Sequence, residues 1–160
     1  MMRFFILISA LVIGNFTISH AEKINVNDII IDNVWIKDTP LNHKLTSGYL
    51  TIENLSDKDE TLLSVSSSFA TKGQIHQMKM DGDVIKMRPI IDGLFIPAGE
   101  TIYLTPGSFH LMFIGLNMQI IPKQTHRITL KFKNLGSVVV SATVKSAPTS
   151  DIPSSERHNH

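Results

Sequence analysis

Residues 48–54 read GYLTIEN. Tyr49, Thr51 and Glu53 alternate with Leu50, Ile52 and Asn54, and strand residues two apart share a face. The stretch predicts a half-buried β-strand. The same pattern extends in both directions. NVNDIIIDNVWIKD (25–38) is rich in Ile and Val with partial alternation and predicts one or two strands. TPLNHKLTSG (39–48) reads as a loop, and LSDKDE (55–60) as a polar turn. TLLSVSSS, GQIHQMKM, VIKMRPI, GLFIPAGE, TIYLTPGS, FHLMFIGL, HRITLKFKN and SVVVSATV follow, each short and bounded by Gly, Pro, Asp or Asn. No stretch carries an apolar stripe at helical period over three turns. These patterns predict an all-β sandwich or barrel of about seven to nine strands.

The chain opens with Arg3, an apolar run from Phe4 to Ile13, and Ser19-His20-Ala21. This is the layout of a secretory signal peptide over residues 1–21, cut after Ala21. The run is shorter than the roughly 20 residues of a membrane span, and no later run is longer, so no transmembrane anchor is expected in the mature chain. Residues 22–146 then form one β domain. Residues 147–160, Ser- and Pro-rich without apolar alternation, form a disordered tail. Beyond residue 21 there are fourteen basic and fourteen acidic side chains. That balance argues against a nucleic-acid partner, which needs a basic excess to neutralise phosphates. There is no cysteine. An exported domain of this kind must be stabilised by packing alone, and the thiolate is missing from its possible metal ligands.

Five methionines fall between residues 78 and 118, interleaved with histidines. In QIHQMKM (74–80), His76, Met78 and Met80 share one strand face; in FHLM (109–112), His110 and Met112 do. DGD (81–83) signals a hairpin. A turn centred on Asp81 and Gly82, with Met80 opposite Asp83, sets His76 opposite Met87. If the sheet brings this pair to His110 and Met112, the result is a His₂Met₂ site. Imidazole and thioether without thiolate or carboxylate favour Cu(I) over Cu(II), with zinc a second choice. Ordinary strand histidines and methionine filler are the plain alternative.

HQMKMDGDVIKMRPI, IPAGETIYLTPGSFHLMFIGL and HRITLKFKNLGSVVVSATV, with GYLTIEN ahead of them, resemble the PCu(A)C family of periplasmic copper chaperones over residues 25–145. The resemblance implies a cupredoxin-like Greek-key β-sandwich or barrel. It implies a Cu(I) site at His76, Met87, His110 and Met112, and a periplasmic location. It also implies delivery of copper to a receiving protein, the copper centre of a haem-copper oxidase such as cytochrome c oxidase, alongside a thiol-bearing chaperone. Three features depart from the family: Gln77 stands where a glutamate is usual, the span from Met87 to His110 is one residue longer, and Ser108 replaces a glycine. Met78 shares the site face as an accessory candidate. His158 and His160 in the tail are candidates for Cu(II), as in family members with His-rich extensions. Met118, Trp35, Tyr49 and Tyr103 read as packing residues, and His43 and His126 as surface or core.

Other function classes make different demands. A copper enzyme needs an open redox-active site with more nitrogen ligands, and nothing in the sequence calls for catalysis. An exported structural or adhesion module predicts no stoichiometric metal. A copper-tolerance or storage protein would use the same ligands. Blue-copper electron transfer requires a cysteine and is excluded by composition.

Overall fold

The computed structural model describes residues 23–82 and 84–146. Its elements are β1 (Ile24–Val26), β2 (Ile29–Lys37), β3 (Leu45–Asn54), β4 (Glu60–Ser66), β5 (Ala70–Asp81), β6 (Val84–Pro89), β7 (Leu94–Ile96), β8 (Thr101–Leu104), β9 (Phe109–Leu116), β10 (Thr125–Phe132) and β11 (Ser137–Lys145). The eleven strands exceed the expected seven to nine, since every short segment forms a strand of its own. NVNDIIIDNVWIKD, read as one or two strands, gives β1 and β2 around a turn where Asn27 and Asp28 take φ 46° and 64°. Residues 45–48 are strand rather than loop, since Leu45 to Gly48 pair with Ile114 to Leu111 of β9.

In GYLTIEN the even-numbered side chains turn inward. Leu50, Ile52 and Asn54 are buried. Asn54 is a polar group in that row, and its amide donates to the carbonyls of Lys58 and Ile96, at 2.8 and 3.2 Å. A buried amide left unbonded would cost about 1–3 kcal/mol. The β11 strand shows the same rhythm, burying Val138, Val140, Ala142 and Val144.

The strands follow one path, β6-β5-β9-β8-β3-β2-β11-β10-β4-β7, with β1 beside β2 and β9 also paired to β3. Most pairs are antiparallel; β2 with β11 and β8 with β9 are parallel. The path curls back on itself, so that β5, near one end, packs against β4, near the other. The approach is close at Gly73, where a Cβ would lie 2.2 Å from the Val65 carbonyl oxygen. A glycine is therefore required at that position. Inside the curl lie Ile31, Ile36, Leu62, Phe69, Leu111, Phe113, Ile120, Leu130 and Phe132, all at 1% exposure or less. The Phe69 and Phe113 rings meet at 4.9 Å. Each such side chain contributes about 1.5–3 kcal/mol by leaving water.

The end of the path differs. Beyond residue 78, β5 and β6 form a two-stranded arm, and every β6 residue is exposed. Methionines and tyrosines also depart from expectation. Met118 and Tyr103 are exposed rather than packed. Trp35 is half-buried, its ring against the buried Tyr49 at 4.4 Å and beneath the Lys145 ammonium. Residues 1–22, Asp83 and residues 147–160, where the signal peptide and the tail are expected, lie outside the described residues.

Candidate metal centre

β9 alternates between two environments. Leu111 and Phe113 enter the core. His110 and Met112 therefore project from the other face of the strand. β5 divides in the same way, with Ile75 in the core and Gln74, His76 and Met78 on the opposite face. The two strands pair antiparallel with His76 directly across from His110 and Gln74 across from Met112. The imidazole centroids are 5.6 Å apart with the rings inclined by 55°.

Each imidazole has one nitrogen held and the other free. The Nδ1–H of His110 donates to the Ser108 carbonyl oxygen at 3.2 Å. That oxygen also accepts the Met78 backbone N–H at 3.2 Å, which ties the β5 strand to the turn before β9. The Nε2 of His110 has no hydrogen-bond partner among the described residues. At His76 the roles reverse: Nε2–H donates to Gln74 Oε1 at 3.4 Å, and Nδ1 is buried without a partner. An orphaned buried nitrogen costs stability unless something occupies it, and anchoring of the second ring nitrogen is how metal-binding histidines are usually oriented. Burial holds His76 below its ordinary pKa, with the His110 charge and then Lys72 acting in the same direction. The ring is thus neutral and its lone pair available near pH 7.

Thioethers flank the pair. The Met112 sulfur receives the Ser47 hydroxyl at 3.9 Å from the neighbouring β3 strand. Beside Met112 the surface opens into a groove of about 570 Å³ lined in part by Asp38, His43 and Leu45. Met87 lies elsewhere than expected. His76 pairs with Pro89, and Met87 stands across from Met78. The register is two residues off the expected one because Asp81 pairs with Val84, so Gly82, at φ 65°, takes the first loop position. A hairpin of this kind needs positive φ there, which glycine supplies freely. Met87 remains on the site face, one row nearer the tip than His76. Directly across the ribbon from it, Met78 is next to His76 along β5 on the same face.

The structure thus brings His76, His110 and Met112 together and sets Met87 and Met78 along one edge. Sequence reasoning missed Gln74, Ser47 and the Ser108 carbonyl. The parity of Gln74 with His76 was visible, whereas the other two depend on pairings between distant strands. Among the described residues no three His, Cys, Asp or Glu side chains cluster as a metal site. The further protein donors beside the two imidazoles are thioethers. Imidazole nitrogens with thioethers form a soft donor set that carries no formal charge, suited to Cu(I) more than to harder ions.

Residues 29–144 match the model of the family described as "Putative lipoprotein LpqE-like". The chain belongs to the LpqE-like family. One relative, described as "Putative lipoprotein Lxx21020" from Leifsonia xyli subsp. xyli (strain CTCB07), is 26% identical over 115 residues, 72% of this chain and 68% of its own. Among solved structures, a copper-bound PCuAC domain from PmoF2 superposes with a TM-score of 0.67 at 19% identity, covering 79% of this chain and 99% of that domain. The solution structure of the Cu(I) form of DR1885 from Deinococcus radiodurans gives a TM-score of 0.60 at 28% identity, over 72% and 76% of the two chains. The fold of this LpqE-like chain is all-β and cupredoxin-like, as in the PCuAC domains. Among its described residues no helix is long and apolar enough to cross a membrane.

Proposed function

We propose that this protein is an exported copper carrier that holds Cu(I) as cargo at His76, His110, Met112 and Met87. The observation that carries the reading is the facing pair His76 and His110, each with one nitrogen anchored and one free, beside the Met112 thioether. The copper-bound PCuAC domain and the Cu(I) form of DR1885, which share the fold, support the choice of metal. The role is transport rather than catalysis. A neutral ligand set lets the ion leave without any ligand being reprotonated, which suits transfer to a second protein.

The recipient in this reading is a periplasmic copper-receiving protein, the copper centre of a haem-copper oxidase. Without a cysteine the carrier supplies metal only, and a thiol-bearing chaperone must reduce any disulfide in the receiver. His158 and His160, outside the described residues, are proposed to take up Cu(II). Residues 1–21 are proposed to direct export and to be removed after Ala21, leaving residues 22–146 as the copper-binding domain.

The test is an anaerobic Cu(I) titration against a competing chelator, read together with X-ray absorption. One ion per chain with a mixed sulfur and nitrogen shell is expected. A shell of nitrogen and oxygen alone would sink the assignment.

A further inference from the structure

The β5–β6 arm is two-faced. Pairing of Met78 with Met87, Met80 with Ile85 and His76 with Pro89 places these six on one face. Gln77, Lys79 and Asp81, with Arg88, Lys86 and Val84, occupy the other. On that second face the Asp81 carboxylate accepts from Lys86 at 2.7 Å and from Arg88 at 3.3 Å. The only carboxylate among the described residues of the arm is thus turned away from the methionine face and already paired. The methionine face offers no oxygen donor from a side chain.

Packing does not account for these methionines. Met80 is 60% exposed and Met87 47%, on a ribbon whose outer strand buries nothing. Methionine normally serves as a pliable filler of interiors. Two of them exposed to water beside the half-buried Met78 do little such work, and exposed apolar clusters of this kind mark binding sites. The spacing fits a shared ion. Directly opposed strand residues have Cβ atoms about 4.5–5.5 Å apart, and long side chains also reach diagonal neighbours. The sulfurs of Met78, Met87 and Met80 can therefore converge above the ribbon.

We infer that Met78, Met80 and Met87 form a second, sulfur-only site for a soft monovalent ion, Cu(I) or Ag(I), that shares Met87 with the His76–His110 centre. As a waypoint it rests on the proposed copper function; as a site it stands on the arm alone. The ion enters or leaves at the exposed tip on thioethers, and Met87 keeps hold of it while Met78 and Met80 exchange for the two imidazoles. Every donor on this route is neutral, so no proton moves. Hard divalent ions find no carboxylate on the methionine face of the ribbon.

The probe is Ag(I), titrated into the folded protein with ¹³C-methyl-labelled methionine and followed by NMR. The first equivalent is expected to shift the Met112 and Met87 methyls. The second is expected to shift Met78 and Met80 and to move Met87 a second time, since both sites draw on it. Met118, exposed but away from the arm, should stay still. In a His110→Asn variant, Met78, Met80 and Met87 should respond to the first equivalent; if that variant fails to fold, the second equivalent in the wild type decides. Changing both Met78 and Met80 to Leu should weaken the second equivalent about tenfold or more and leave the first nearly unchanged. Stationary Met78 and Met80 methyls through two equivalents would overturn the inference, as would a Met118 shift as large as theirs. Movement of the arm methyls with Met112 unmoved would support the arm site while overturning the His₂Met₂ assignment.

Discussion

The β3 strand and the β5–β6 arm follow the same two-residue rhythm and use it for different ends. In β3 the inward row, Leu50, Ile52 and Asn54, is buried, and its one polar member, Asn54, is hydrogen-bonded. In the arm the corresponding row, Met78 and Met80 with Met87 and Ile85 opposite, faces the surface. Alternation in the first region is explained by the core it helps to build. In the second, burial explains little, and the chemistry of the side chains becomes the better account. His76 and His110 stand at the root of the arm, where the two regimes meet.

The comparison can be broken most directly by truncation. Phe113→Ala, in the core and fully buried, should cost about 3–5 kcal/mol in urea unfolding. Met80→Ala on the arm should cost less than about 0.5 kcal/mol. Similar losses at the two positions would mean that the arm packs after all. Gly73→Ala probes the junction itself. Its new Cβ would press on the Val65 carbonyl oxygen, and a destabilisation of about 1–3 kcal/mol is expected.

Chemistry and folding should separate at the site. Met112→Leu and Met87→Leu conserve volume and should each cost less than about 1.5 kcal/mol. Cu(I) affinity, measured by chelator competition with circular dichroism as the folding control, should fall at least about tenfold in each. Unchanged affinity in both would return these methionines to the role of filler. Met118→Leu, on exposed surface away from the arm, should leave Cu(I) binding as it is.

A smaller effect concerns pH. Burial holds His126, whose Nε2 lacks a partner and whose ring stands edge-on to Phe69 at 5.2 Å, below its ordinary pKa. Burial acts likewise on His76, joined by His110 and Lys72. As pH falls below about 6.5, the unfolded chain takes up protons on these rings before the folded one does. The metal-free protein should therefore hold its full stability above that value and lose it progressively on acidification. Replacing His126 by Phe should flatten part of this slope in urea midpoints measured across the range. An unchanged slope would show that His126 is not a source of it.

Much of the fold was legible because strand periodicity is a local property. The side that Leu50 and Ile52 present, the shared face of His76, Met78 and Met80, and that of His110 and Met112 all follow from positions two apart on one chain. Composition alone excluded a thiolate ligand. Which residues face one another across strands was decided elsewhere. The β5–β6 register turned on which loop residue accepts a positive φ; with Gly82 first in the loop, Met87 met Met78 instead of His76. The pairing of His76 with His110 spans 34 residues and was fixed by the β5–β9 ladder. The burial of His110 and the exposure of β6 came only from the strand order, which sets β9 among β5, β8 and β3 and leaves β6 at the edge of the sheet. Parity repeats along a single strand and can be read there. Register and burial depend on contacts between segments far apart in the chain, whose closure no short stretch encodes.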